Sequence, residues 1–411
     1  MYNLDKIRKQ FPMLHNKTMQ GKPLIFLDNA STTFKPQCVI DAMNDYYTNY
    51  TSNSHRGDYD LCNRVDNEVY KTRLEVAGFL NCDVNEVVLT SGDTEALNLI
   101  AYGYALNVLK KDDVILLSEV EHASNVLPWY RICELTGAKV KFIELENSKA
   151  TLNKVKDAFA QYKNIKIVSL AHIGNVLGYR IDAKEIAKVC HAHGSIFVLD
   201  GAQSVPHIKT DFKDLDVDFI TFSAHKMCGP TGVGCLIGKA SLLEQMSNFH
   251  LGGGMNVTFK NDMTYIPLEA PAKFEAGTLN LAGIIGFGEA IRFIKSIGIE
   301  NIEEHEKELF DYAIRRLESI KDIIIYNKDS NSGIIAFNRE EVFAQDEATL
   351  LNSKGIAVRS GQHCAKMINN VINTIATVRA SFYLYTSKED VDALINELEK
   401  GGDILDAYFS D

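Results

Sequence analysis

Between about residue 85 and residue 240, short apolar runs alternate with stretches whose apolar residues recur at helical spacing. The runs are Glu86–Thr90, Val114–Ser118, Ile165–Leu170, Ile196–Leu199, Phe219–Phe222 and Gly234–Gly238. Each is short, rich in β-formers and apolar on both faces, the pattern of a strand buried between two layers in a mostly parallel sheet. The amphipathic stretches between them, Ala183–His193 for example, have the length of βαβ crossovers. The pattern predicts an α/β fold, a mostly parallel sheet sandwiched by helices. After residue 285 the pattern changes. Amphipathic helices Gly286–Ile297, Ile302–Ile320 and Lys388–Lys400 bracket the short strands Asp322–Tyr326 and Gly333–Phe337, and predict a smaller α+β domain. The division expected is a large domain over 16–285 and a small one over 1–15 and 286–411.

The residues that end each strand change the picture. Ser91-Gly92-Asp93-Thr94 follows the first strand and opens a helix; His122 follows the second; His172 and Asn175 follow the third. Asp200 ends the fourth, with Gln203 just beyond, and Ser223-Ala224-His225-Lys226 ends the fifth. Ligands of open α/β sheets bind outside that edge. A strand ending in Asp beside one ending in Ser-x-His-Lys suits pyridoxal phosphate (PLP). The Lys226 amine holds the aldehyde as a Schiff base, and the Asp200 carboxylate keeps the ring nitrogen protonated so the ring can accept electrons. The helix start at Ser91–Thr94 offers free N–H groups to a phosphate, with Ser223 and His225 as further donors. Asp93 is awkward there, and its carboxylate is expected to point away. His122 reads as an imidazole stacked on the cofactor ring and able to move protons. Arg379 and Asn175 suit a substrate carboxylate, held by a guanidinium fork and an amide. Cys364, in Arg359-Ser360-Gly361-Gln362-His363-Cys364, lies in a loop; local sequence leaves it open between one more buried cysteine and a nucleophile favoured by its neighbouring arginine and histidine.

Composition narrows the class. The chain has 411 residues, 46% of them hydrophobic and 24% charged, with a net charge of -11. That balance argues against a nucleic-acid or acidic-membrane partner. No apolar stretch approaches the roughly 20 residues of a membrane span. Met1–Lys6 has no apolar leader, so a cytoplasmic protein is expected. The eight cysteines are scattered without a CxxC, which is neither a disulfide framework nor a zinc pattern. His191-x-His193 reads as two helix-end histidines, and no metal is expected.

Taken together, the residues resemble the SufS-type (group II) cysteine desulfurases of the class V aminotransferase family. The resemblance is nearly full length. It runs through Leu27-Asp28-Asn29-Ala30-Ser31-Thr32-Thr33, His55-Arg56-Gly57, Asn175-Val176-Leu177-Gly178, Asp200-Gly201-Ala202-Gln203, His225-Lys226, Gly229-Pro230-Thr231-Gly232, Glu275-Ala276-Gly277-Thr278, Arg359–Cys364 and Arg379-Ala380-Ser381. The short approach to Cys364 is similar to group II; group I has a longer loop there. The resemblance implies a fold-type I PLP-dependent homodimer in the cytoplasm that converts L-cysteine to L-alanine and passes sulfur through a Cys364 persulfide. The sulfur would serve iron–sulfur cluster assembly or tRNA thiolation, by way of a SufE- or SufU-like acceptor.

By the same resemblance Lys226, Cys364 and His122 are catalytic. Thr94, His122, Asp200, Gln203, Ser223, His225 and Lys226 bind the cofactor, with Thr278 reaching in from the other subunit. Asn175, Arg359, Arg379, His55 and Arg56 surround the substrate. The chain departs from the family at Asp93, Tyr59, Gln362 and Leu279. Alternatives are a selenocysteine lyase, another class V PLP enzyme such as an aminotransferase, and a non-catalytic sulfur-assembly partner.

Overall fold

A strand with two apolar faces is stable only between two layers that cover it, and the chain supplies both. The structure is a computed structural model that describes residues 2–54, 57–144 and 148–402. Its main sheet has seven strands: β1 (Val87–Thr90), β2 (Val114–Ser118), β3 (Lys139–Ile143), β4 (Ile165–Ala171), β5 (Ile196–Asp200), β6 (Phe219–Ser223) and β7 (Gly234–Gly238), in the order β1-β7-β6-β5-β4-β2-β3. β7 pairs antiparallel with both β1 and β6; the other pairings are parallel. Six strands therefore end on one edge, and β7 begins there.

Alternate side chains face opposite layers, as the pleat requires. Val88, Ile115, Leu117, Val198 and Leu236 pack on one side against α3 (Asp93–Ile100) and α4 (Leu127–Thr136). Leu89, Leu116, Phe197, Leu199 and Ile237 pack on the other against α2 (Asp60–Leu80), α5 (Ala183–Ala192) and α6 (Leu281–Ile297). The sequence pattern does not predict β3. It is one of the sheet's two edge strands, and its Lys139-Val140-Lys141 start is partly exposed, so the two-faced apolar signal is absent. α6 starts at Leu281, capped by the Asn280 side chain on Gly283 N, and most of its residues are buried. The boundary expected after residue 285 falls inside this helix; the chain turns away only at Gly298, before α7 (Ile299–Leu317).

A second sheet joins β10 (Ile323–Ile325), β11 (Ile334–Arg339), β12 (Arg359–Gly361) and β13 (Thr377–Ser381) in the order β10-β11-β13-β12, after an exposed hairpin of β8 (Asn256–Phe259) and β9 (Tyr265–Pro267). It packs with α7, α8 (Ala344–Ser353) and α9 (Lys388–Lys400) around a separate core. The N-terminal segment contacts this unit: Arg8 Nη1 meets Asp390 Oδ2 at 2.6 Å and donates to Tyr385 O at 2.7 Å. No helix among the described residues is long and apolar enough to cross a membrane. His191 Nε2 is engaged with Asp218 at 2.9 Å, while His193 stacks on Phe159.

Asn327 joins the second sheet to the loop that follows β4. It is fully buried; its Nδ2 donates to Leu177 O at 2.9 Å and Ile334 O at 2.8 Å, and its Oδ1 accepts from Ala336 N at 2.9 Å. Asn327→Ala leaves three enclosed backbone groups without partners. The expected cost is about 2–4 kcal/mol of unfolding free energy. Denaturant titration of the two proteins checks it.

Candidate active site

The shared strand edge forms one wall of a cavity of about 190 Å³. Register brings its residues level: Asp200 pairs with Ala171 on one side and Thr221 on the other, and Gly234 pairs with Ser223 and Thr90. Gly234 is required here, since an added Cβ would lie 2.5 Å from Gly92 Cα. That closeness lets α3 begin directly on the sheet, with its first N–H groups at the cavity.

Of the residues singled out in the sequence, Thr94, His122, Asn175, Asp200, Gln203, Ser223, His225, Lys226, Arg359 and Arg379 all line this cavity. Cys364 stands exposed at its mouth, with Arg359 Nη2 at 3.5 Å from Sγ. Thr278 is exposed and donates to Asn53 Oδ1 at 3.3 Å; it does not line the cavity of its own chain. His55 and Arg56 lie outside the described residues.

Lys226 follows β6 in a short helical turn, and its amine shares the cavity with Asp200 and Asp93. Burial pushes the ammonium down, with Asp200 and Asp93 opposing that. Asp200 is buried, and its Oδ1 accepts from Ala202 N at 2.9 Å; burial raises its carboxyl above the usual range. Gln203 donates to Ala30 O at 2.6 Å, while its enclosed Oε1 has no hydrogen-bond partner among the described residues. Ser223 Oγ accepts from Asp93 N at 2.8 Å, which leaves its own proton to donate. Thr94 Oγ1 lies 2.7 Å from Ser124 Oγ.

His122 Nδ1 accepts from Ser124 N at 3.2 Å, so the ring proton sits on Nε2. Burial, then Lys226, Arg359 and Arg379, push the imidazole down to about 4. At neutral pH it is therefore an uncharged N–H donor. His225, lowered to about 4 by burial and then by Lys226 and Lys35, is likewise neutral.

Arg379 is 1% exposed. Its Nη1 donates to Asn175 O at 2.8 Å, and its Nη2 to Asp28 Oδ1 at 2.9 Å and Ser31 Oγ at 2.8 Å. Nε is buried with no partner among the described residues, a cationic donor left for an anion. Ser31 Oγ also accepts from Arg359 Nη1 at 2.9 Å and donates to Asp28 at 2.7 Å, so one hydroxyl holds both arginines. Asp28 and Ser31 are not assigned this role from the sequence. Their signal is present in the Leu27–Thr33 motif, but a Ser/Asp pair after a two-residue strand does not announce an arginine partner 328 residues away.

Two sequence expectations change. The imidazole of His363 does not face the thiol. It is 2% exposed, turns to Thr377 Oγ1 at 2.9 Å, and is pushed down to about 3 by burial and by Arg379 and Arg359. Among the described residues, Arg359 is the side chain within hydrogen-bond reach of Cys364 Sγ. The carboxylate of Asp93 turns inward, 7% exposed, into the cavity it shares with Asp200.

The loop that carries Cys364 is strained and pinned. His363 and Cys364 have φ of 51° and 60°, in the left-handed region that costs a side-chain-bearing residue roughly 1–3 kcal/mol. Their carbonyls are both held: Asn175 Nδ2 donates to His363 O at 2.8 Å, and Ala123 N to Cys364 O at 2.8 Å. The loops after β4 and β2 thus fix the cysteine at the mouth.

The chain matches the aminotransferase class-V family model over residues 25–394. It is 42% identical over 400 residues to a "probable cysteine desulfurase" of Halalkalibacterium halodurans, covering 97% of this chain and 98% of that one. It is 37% identical to the cysteine desulfurase of Haloferax volcanii, covering 98% of each chain. The crystal structure of the cysteine desulfurase CsdA of Escherichia coli, in an S-sulfonic acid form, superposes with a TM-score of 0.89 at 34% identity, over 97% of this chain and 98% of that one.

Proposed function

The chain belongs to the class-V aminotransferase family, and from that premise we propose that it is a PLP-dependent cysteine desulfurase. It converts L-cysteine to L-alanine and loads the sulfur on Cys364. The observation that carries the reading is a single cavity with Lys226 and Asp200 at the ends of neighbouring strands and Cys364 at its mouth beside Arg359.

The residues fit the cofactor. The enclosed Asp200 carboxylate suits a protonated ring nitrogen, and the Gln203 amide suits the phenolic oxygen. His122 would cover the ring, and Thr94, Ser223, His225 and the start of α3 would hold the phosphate. Bound there, the cofactor supplies an electron sink. The chain's own groups do the rest. Arg379 Nε, Arg359 and Asn175 bind and orient the substrate carboxylate. The Lys226 amine, disposed by burial to be uncharged, anchors the cofactor and then takes the substrate α-proton. Cys364 Sγ attacks the substrate sulfur, the carbon–sulfur bond breaks, and a proton replaces sulfur on the carbon. Cysteine and one thiol become alanine and one persulfide, with no outside oxidant or reductant.

Thr278 is exposed, and we place it at the cavity of a partner subunit in a homodimer. An exposed Cys364 suits handover to a SufE- or SufU-like protein thiol, in the cytoplasm, for iron–sulfur clusters or tRNA thiolation. The test is alanine release from L-cysteine with a reductant present. Expected is one sulfide per alanine; alanine from selenocysteine but none from cysteine would replace the reading by a selenocysteine lyase.

A further inference from the structure

The Asp93 carboxylate has no task in that reading. It belongs to the first residue of α3, and its Oδ1 is enclosed without a hydrogen-bond partner among the described residues. The strand register explains its neighbours. Asp200 sits opposite Thr221, and Ser223, two residues along the same face of β6, accepts the Asp93 N–H. The groups that face Asp93 are Asp200 from β5, and Thr221, Ser223 and Lys226 from β6 and the turn after it; β7 contributes the uncharged Gly234 behind Gly92. Two enclosed carboxylates thus meet one ammonium. Such a set keeps a proton, because the second negative charge is buried and must share its one counter-ion with the first. Burial above all, and then Asp200, raise the Asp93 carboxyl, against Thr221 and Lys226.

A bound cofactor sharpens the conflict. It would bring a phosphate to the start of α3, and its covalent link would replace the Lys226 ammonium, which offsets Asp93 in the free chain, by a far less basic imine nitrogen. Asp200 is the member that must ionise, to pair with the ring N–H.

We propose that Asp93 is a second acid of the cofactor site, accepted only in its neutral form, so that this chain loses its cofactor as Asp93 ionises. The proposal rests on the PLP reading above and makes Asp93 a positioning residue. Its sign follows from linkage: the bound state holds the Asp93 proton more tightly than the free state, so affinity is full at low pH and falls as pH rises through the ionisation of the free chain.

The test is cofactor retention, not turnover. Wild-type holoenzyme, Asp93→Asn and Asp93→Thr are dialysed between about pH 6 and about pH 9, and retained PLP is measured by absorbance; one linked proton limits the change to about tenfold in Kd per pH unit. Expected is equal retention at the low end and a wild-type Kd about tenfold or more above that of both variants at the high end. Parallel profiles would overturn the proposal. So would loss of cofactor at low pH in a variant whose melting temperature matches wild type, since the carboxylate would then be used as an anion. Wild type that binds no PLP at any pH would sink the cofactor reading itself, and the proposal with it.

Discussion

Lys226→Ala is expected to stop alanine formation from L-cysteine, by about three orders of magnitude or more, because one side chain supplies both the covalent anchor and the proton transfer. The geometry leaves no substitute. Among the groups lining the cavity, His122 and His225 are both pushed down to about 4 and are weak bases, and His122 already spends Nδ1 on Ser124 N. Arg359 and Arg379 do not release protons at neutral pH. Asp93 and Asp200 both lie at the sheet edge, and Asp200 is committed to the ring nitrogen. The variant should lose the long-wavelength absorption of the lysine-linked cofactor yet retain cofactor non-covalently, since Asp200, Thr94, Ser223 and His225 remain. It should also lose exchange of the cysteine α-proton with deuterated solvent, a readout independent of sulfur chemistry. Exchange at the wild-type rate would move the base role to another residue. Folding should survive, because Lys226 lies in a three-residue turn at the cavity, outside the strands of the sheet.

How far the site can be read from the sequence depends on where its residues stand. Asp200, His122 and Lys226 are legible because each follows an apolar run, and the ends of parallel strands share one edge whatever the detailed packing. The same logic places Asn175 and Thr94. Arg359 and Arg379 belong to a different sheet, β12 and β13, and nothing local says that they cross to the first. What brings them over is Ser31 with Asp28, and the Asn327 stitch, all contacts between segments far apart in the chain. Asp93 misleads for the opposite reason. At a helix start a carboxylate ordinarily caps or faces water, but here Gly234 brings α3 so close to the sheet that the side chain is enclosed. The missed strand β3 has alternating lysines that read as surface, since an edge strand buries less of each face.

Cys364→Ala separates the sulfur step from the proton step. Alanine formation should fall by about two to three orders of magnitude, comparable with the loss of a catalytic nucleophile, while the cofactor absorption and the α-proton exchange persist. The reason lies in the division of the site. Lys226, Asp200 and Arg379 line the cavity, whereas Cys364 sits at its mouth, with Arg359 Nη2 at 3.5 Å from Sγ. Removing Sγ leaves the loop in place, because the pins on it are backbone carbonyls: Asn175 to His363 O and Ala123 to Cys364 O are unaffected by the side chain. Alanine carries the same left-handed strain at φ of 60° as cysteine does. As the side chain is exposed, the change in unfolding free energy should stay within about 0.5 kcal/mol. The persulfide gives a direct check: wild type treated with cysteine gains one sulfur atom in intact mass, and Cys364→Ala gains none. Two other results would reassign the nucleophile. One is a gain of sulfur in the variant, which would place it on another of the eight cysteines. The other is turnover of cysteine at the wild-type rate with no persulfide in either protein.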